Sequence, residues 1–257
     1  MKENRFQTAL ARGDMPSGHM IMEFATRGVA KILEAAGLDY VVLDMEHSGF
    51  DLDRIADVIA WLKATPVTPF VRVPQGLYHF ITRCLDAGAL GVMVGNVETA
   101  EQAQSIVRAA KYPPVGVRGV GLGTAHNDYV VPDTRTYLDQ ANANTTVICQ
   151  IESPQGIANL DAIAGITGVD VLWVGHNDLS VAMGIGLTDQ RFDDALGAVV
   201  AAANRHGKVA AIQPGNFDQA AKWSAMGFHV LSWKTDIGLY RDTLRAELAR
   251  LREIRRS

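Results

Sequence analysis

The sequence predicts a single (β/α)8 TIM barrel spanning residues 1–257, and three observations predict it. Short β-branched runs alternate along the chain with longer, Ala-rich stretches of helical periodicity, eight times over. The runs are apolar at both odd and even positions, as strands covered on both faces must be. No glycine-rich phosphate loop follows any run, which weighs against a doubly wound sheet. The length of 257 residues suits one large barrel or two small domains, and no linker or internal repeat divides the chain.

The expected strands are residues 19–24 (HMIMEF), 39–45 (DYVVLDM), 68–74 (TPFVRVP), 90–97 (LGVMVGNV), 146–153 (TVICQIES), 169–175 (VDVLWVG), 208–213 (KVAAIQ) and 228–236 (FHVLSWKTD). Helix starts are written between them. Asp51 is an N-cap for LDRIADVIAWLKA, Thr99 with Gln102 forms a capping box, Pro154 follows Ser153 at a first helical position, and Asn216 with Gln219 forms a second box. Gly37, Gly88, Gly168, Gly207 and Gly227 each close a helix shortly before the next strand. Residues 113–145 read as one long connection rich in Gly, Asn, Asp and Thr, and such a loop in a compact barrel is more often functional than not. Within it, GVRGVGLG (116–123) approaches G-x-G-x-x-G but follows YPP rather than a strand and opens no clear helix, so it does not mark a dinucleotide site.

Composition excludes several function classes. A net charge of -4 without a dense Lys/Arg block argues against a nucleic-acid partner. The N-terminal MKENRFQTALARG lacks an apolar h-region, and no apolar run approaches ~18 residues, so a cytoplasmic protein without membrane partners is expected. Both cysteines, Cys84 and Cys149, lie in apolar segments and read as buried, reduced thiols.

Barrel enzymes place their chemistry at the C-terminal ends of the strands, and here ionisable residues gather at those ends. The second strand runs into Asp44, Glu46 and His47, each costly to dehydrate unless partnered. The third ends in Arg72 and is followed by a helix carrying Arg83 and Asp86. The fifth ends in Gln150 and Glu152, the sixth in His176, Asn177 and Asp178, the seventh in Gln213, and the eighth in Lys234 and Asp236. Glu152 and Asp178 are carboxylates on neighbouring strands with no histidine or thiolate between them. They suit a hard divalent ion that keeps waters and open positions; alternatively Asp178 caps a turn and Glu152 pairs with Arg72. Arg72 reads either as a bidentate fork for a substrate carboxylate or as an ion pair inside the barrel. His47 reads either as a general base tuned by a neighbouring carboxylate or as a hydrogen-bonded structural residue. Lys234 would be a Schiff-base nucleophile only with a depressed pKa, and nothing beside it in sequence predicts that beyond burial. A surface or interface lysine is expected.

Taken together, LDMEH (43–47), VRVP (71–74), LDAGALGVMV (85–94), YPPVGVRGVG (112–121), QIES (150–153) and GHNDLSVAMG (175–184) resemble the HpcH/HpaI aldolase family, in order from about residue 18 to 240. These are class II, metal-dependent pyruvate aldolases of the phosphoenolpyruvate/pyruvate barrel superfamily. The resemblance implies reversible cleavage of a 4-hydroxy-2-oxo acid to pyruvate, or a related 2-oxo acid, and an aldehyde. It implies that Glu152 and Asp178 bind Mg²⁺, Mn²⁺ or Co²⁺, that pyruvate chelates this ion, and that Arg72 holds the keto oxygen. His47, oriented by Asp86, would be the acid/base group acting through a metal-bound water, with Asp44 in support and Gln150 and Asn177 beside the substrate. Two other outcomes share these residues: decarboxylation or carbon–carbon bond formation on an oxaloacetate-type substrate, and silent binding of a 2-oxo acid, against which His47 and Asp86 argue. The family also implies a homohexamer, a trimer of dimers, with the last helix (237–254) exchanged between neighbours. The chain departs from the family in three places, the first being that a tryptophan common near the first strand is absent, with Met20 or a neighbour in its place. GTAHNDYV (123–130) replaces an arginine-bearing segment of the long loop expected to contact the aldehyde half, and His176 stands where the GPxDL motif has proline. Glu46, His126 and His176 are left without a role.

Overall fold

The computed structural model describes residues 2–254. Eight parallel strands close into a barrel in chain order: β1 (Ser17–Ile21), β2 (Tyr40–Asp44), β3 (Thr68–Val73), β4 (Gly91–Val94), β5 (Thr146–Ile151), β6 (Val171–Val174), β7 (Val209–Ile212) and β8 (Val230–Thr235). The helices are α1 (Arg5–Ala11), α2 (Val29–Ala35), α3 (Leu52–Leu62), α4 (Tyr78–Ala87), α5 (Ala100–Ala110) and α6 (Thr134–Asn144). They continue with α7 (Pro154–Ala158), α8 (Leu160–Ala164), α9 (His176–Ala182), α10 (Gln190–Arg205), α11 (Phe217–Ala225) and α12 (Asp236–Ile254). Every strand falls within or overlaps its expected run, because buried β-branched runs have no other way to satisfy their backbone than a ladder on both sides.

The caps form where the residue types call for them. Asp51 accepts from Arg54 N at 2.8 Å, and the Thr99–Gln102 capping box is complete. At α11 the Asn216 side chain accepts from Gln219 N at 2.9 Å, but Gln219 Oε1 takes the N–H of Gly215, one residue outside the expected box. The five helix-closing glycines all have positive φ, from 63° at Gly207 to 111° at Gly88, where an L side chain would be strained.

Three features add to the expectation or alter it. Residues 5–11 form a helix that plugs the N-terminal mouth of the barrel. Phe6 lies edge-on to Tyr40 and to Phe70, at 5.1 Å in each case, and Asn4 Nδ2 donates to Asn144 O and Thr146 Oγ1. Tyr40 and Phe70 point into the lumen at the strand starts, so an aromatic plug completes a cluster that would otherwise face water. Residues 113–145 are also not one open loop: their second half is α6, capped by Asp133 and anchored by buried Tyr137 and Ala141, one helical turn apart. Finally, α12 buries only Asp236 and leaves Ile237, Tyr240, Leu244, Leu248 and Leu251 exposed, so it is not an ordinary barrel helix.

Phe6→Ala is expected to cost about 3–5 kcal/mol of unfolding free energy. A lowered urea midpoint at unchanged slope would show it; an unchanged midpoint would mean the plug is dispensable.

Candidate active site

Strand alternation decides which side chains enter the lumen. Tyr40 and Val42 of β2, Phe70 of β3, Met93 of β4, Ile148 of β5 and Trp173 of β6 share one buried cluster. Residues of the same parity further along therefore also face inward, and these are Asp44, Arg72 and Gln150. Asp44 and Arg72 are direct partners in the β2–β3 register. Arg72 Nε and Nη2 donate to Asp44 Oδ1 and Oδ2 at 2.8 and 2.6 Å, a bidentate pair in which Asp44 is wholly buried. Arg72 Nη1 lies 3.4 Å from Glu46 Oε2, and Asp44 Oδ1 also accepts from Glu46 N at 2.9 Å. Burial opposes the Arg72 charge, but the Asp44 hydrogen bonds and the charges of Asp44, Glu46 and Glu152 outweigh it and raise its pKa.

Glu152 sits just past the end of β5, buried. Its Oε1 accepts from Asn96 N at 2.6 Å and its Oε2 from Gln150 Nε2. The Asn96 N–H reaches it because Asn96 is left-handed (φ 49°), a conformation asparagine tolerates. Two glycines make the room. A Cβ on Gly175 would overlap Glu152 Oε2, and one on Gly95 would lie 3.0 Å from Glu46 Oε1 and 3.1 Å from Glu152 Oε1. Burial raises the Glu152 pKa, hydrogen bonds from Gln150 and Asn96 oppose this, and the charges of Asp178 and Glu46 push it further up. Glu46 Oε2 is buried without a hydrogen-bond partner among the described residues. No group of three or more His, Cys, Asp or Glu among the described residues is arranged as a complete metal cage. Crowded carboxylates short of positive charge instead fit a hard divalent ion that takes two protein oxygens and completes its shell elsewhere.

A cavity of about 160 Å³ opens on this rim, lined among others by His47, Arg72, Gln150, His176, Asn177 and Asp178. Met20, Met22, Gln213 and Thr235 also line it. Depressions of about 360 and 450 Å³ lie elsewhere but gather no strand-end carboxylate, so size does not mark the site. The His47 side chain is 59% exposed, and its Nε2 is 3.9 Å from Glu46 Oε2. The His176 ring packs against Trp223, with centroids 5.4 Å apart, and burial lowers its pKa.

Comparison with known proteins identifies the family. The family model for HpcH/HpaI aldolase/citrate lyase matches residues 20–242. The chain belongs to this family. It is 35% identical over 241 residues to a 5-keto-4-deoxy-D-glucarate aldolase of Salmonella arizonae, covering 93% of each chain. It is 40% identical over 183 residues to a hydroxypyruvate/pyruvate aldolase of Roseobacter denitrificans, covering 70% of each. The solved structure of an HpcH/HpaI aldolase from Desulfitobacterium hafniense superposes with a TM-score of 0.91 at 29% identity, covering 96% of each chain. This member of the HpcH/HpaI family is a carbon–carbon lyase.

Not every residue singled out in the sequence reaches this rim. Asp86 lies one residue from the end of α4, and barrel helices run back toward the N-terminal mouth, so it sits at the opposite end from His47. Its carboxylate pairs with Arg118 Nη2 at 2.6 Å, and within one chain it does not orient His47. His126, Asn127 and Asp128 share that far end: Lys63, at the end of α3, pairs with Asp128 at 2.6 Å and donates to Ala125 O. Within this chain the long connection therefore does not touch the rim where an aldehyde would lie. Arg72 hydrogen-bonds Asp44 and not Glu152, which sets aside the Glu152–Arg72 pairing. Lys234 leans toward Asp242 at 3.9 Å and over the Trp233 ring, outside the cavity lining. Sequence reasoning missed Asn96, Gly95 and Gly175 and left Glu46 unassigned; the Gly95-Asn96 pair closing a buried strand was the available signal.

Two outcomes are expected. Asp44→Ala leaves Arg72 buried with only a partial partner and lowers stability by about 3–5 kcal/mol in chemical unfolding. Glu152 holds its proton to higher pH when folded than its ordinary value of 4.5 when unfolded. The metal-free chain therefore loses stability as pH rises from 4.5 through the raised folded pKa, since the folded state binds more protons in that window. Glu152→Gln removes this component, and identical pH slopes for the two proteins would refute the assignment.

Proposed function

We propose that this chain is a metal-dependent class II aldolase that reversibly cleaves a 4-hydroxy-2-oxo acid to pyruvate, or a close 2-oxo acid, and an aldehyde. The observation that carries the reading is the meeting of the Asp44-held Arg72 with the Glu152 and Asp178 carboxylates on one rim of a family barrel. Glu152 and Asp178 would hold the divalent ion, Mg²⁺, Mn²⁺ or Co²⁺. When bound, such an ion polarises a substrate carbonyl and lowers the cost of negative charge on it. Arg72 presents a fixed positive charge to the cavity, aimed where that charge develops, and Asp44 prevents the guanidinium from relaxing away. His47 stands in the mouth of the cavity, exposed enough to exchange protons with solvent. In this role it takes the proton of the aldol hydroxyl in cleavage and returns it in condensation. Gln150 ties its amide nitrogen to Glu152, which leaves its oxygen for the substrate side, and Asn177 lines the same space.

Assembly belongs to the same reading. We infer a homo-oligomer, a hexamer built as a trimer of dimers, supported by the exposed apolar residues of α12. A cytoplasmic enzyme is supported by two buried free thiols and by the lack, among the described residues, of a helix long and apolar enough to cross a membrane.

EDTA is expected to abolish exchange of the pyruvate C3 protons with solvent, and added Mg²⁺ or Mn²⁺ to restore it. Metal-independent exchange with borohydride trapping at Lys234 would overturn the proposal. His47→Ala is expected to lose aldol cleavage by about 10²–10⁴-fold while retaining oxaloacetate decarboxylation; full retention of cleavage would remove His47 from proton transfer.

A further inference from the structure

Glu152 and Asp178, the two carboxylates assigned to the ion, are held very differently. Asp178 is exposed, and its side chain has no hydrogen-bond partner among the described residues. Glu152 is buried, with Oε1 accepting from Asn96 N at 2.6 Å and Oε2 from Gln150 Nε2. The fixed half of the pair is therefore Glu152, and much of what fixes it lies on the segment that follows β4.

That segment is residues 95–98. The β4–β5 ladder ends with Val94 opposite Cys149, yet the two stretches of chain stay joined beyond it. Asn96 N donates to Glu152 Oε1, and Val97 N donates to Gln150 O at 3.0 Å. Glu98 Oε1 accepts from Ser153 Oγ at 2.6 Å, and Glu98 O accepts from Asn159 Nδ2 at 2.7 Å. Gln150 and Ser153, on either side of Glu152, are thus both tied to the same short segment as Glu152 itself.

The bond to Glu152 depends on an unusual backbone. Asn96 is left-handed at φ 49°, which aims one N–H at a side chain while the next returns to the β5 carbonyl. Asparagine and glycine enter this region readily, whereas a β-branched residue does so only as an outlier. The Asn96 side chain is exposed and has no hydrogen-bond partner among the described residues. Its identity is explained by the backbone it permits, not by a group it presents. Gly95 before it keeps the space between two carboxylates clear, since a Cβ there would lie 3.0 Å from Glu46 Oε1 and 3.1 Å from Glu152 Oε1. Removing the outer hydrogen bonds of a metal ligand commonly costs about 10–100-fold in affinity.

We propose that residues 95–98 clamp Glu152, that Asn96 is a positioning residue through its left-handed backbone, and that this clamp sets the affinity for the divalent ion. The proposal rests on the metal reading given above and adds residues outside the pair that would hold the ion. The test is calorimetric titration of Mn²⁺ into the whole, EDTA-stripped chain without substrate. Asn96→Val is expected to weaken Mn²⁺ binding by about tenfold or more. Asn96→Gly, which keeps both the positive φ and the N–H, is expected to bind as wild type does. Glu98→Ala is expected to weaken binding too, and Glu98→Gln, which keeps an acceptor for Ser153, to restore it. Unchanged affinity in folded Asn96→Val, or a loss in Asn96→Gly as large as in Asn96→Val, would overturn the proposal. If Asn96→Val does not fold, the Glu98 variants decide, and unchanged affinity in Glu98→Ala overturns it equally. If wild type binds no Mn²⁺, the metal reading fails by itself, and amide hydrogen exchange at residue 96 still tests the clamp. Protection in wild type that survives in Asn96→Gly and is lost in Glu152→Ala supports it, and an unprotected wild-type amide refutes it.

Discussion

The bidentate ion pair between Asp44 and Arg72 is the constraint on which the rim depends. It lies inside a closed barrel, where an unpaired charge is costly to bury, so neither residue is tolerable there alone. Parallel register places the two residues side by side on β2 and β3, and alternation turns both inward. The pair then organises the segment that follows β2. Asp44 accepts the Glu46 N–H, and Ser48 Oγ donates to Asp44 O. His47 and Glu46 thus leave the strand on a braced turn.

The remainder of the site is an arrangement of unequal charge. On one side are Glu46, Glu152 and Asp178, with Arg72 as the cation beside Glu46 and Glu152. Their crowding is possible because Gly95 and Gly175 lack a Cβ at the points of closest approach. A buried carboxylate such as Glu152, its pKa raised by burial and by neighbouring charge, is unfavourable as a purely structural device, and the proposed divalent ion would account for it. The opposite wall, with His176, Gln213 and Thr235, carries no carboxylate. A cavity of about 160 Å³ lies between them.

The N-terminal mouth serves a different purpose. Phe6 fills it, while the Arg118–Asp86 pair and the Lys63–Asp128 pair fasten the long connection beneath α4. Residues grouped with the catalytic set by motif are therefore separated from it by the length of the barrel within one chain. The exposed apolar side of α12 is a second departure from a self-contained barrel, since a helix of this length seldom remains stable without a packed face.

Several features were legible in the sequence because their causes are local. Eight buried runs, the Asp51 and Thr99 caps and the glycines before each strand specify strand and helix positions through backbone chemistry that operates over a few residues. The concentration of Asp44, Arg72, Glu152 and Asp178 at strand ends was legible for the same reason, since strand direction alone assigns them to one rim. Which of them touch was not. Register decided that Arg72 meets Asp44 rather than Glu152, helix direction decided that Asp86 lies far from His47, and a bulge in β8 decided that Thr235 faces the cavity. By itself the sequence determined the barrel, its family and the composition of the rim, because periodicity and capping act along the chain. Only the tertiary structure decided the pairings, because distances between strands are set by register and closure, which no local stretch of residues contains.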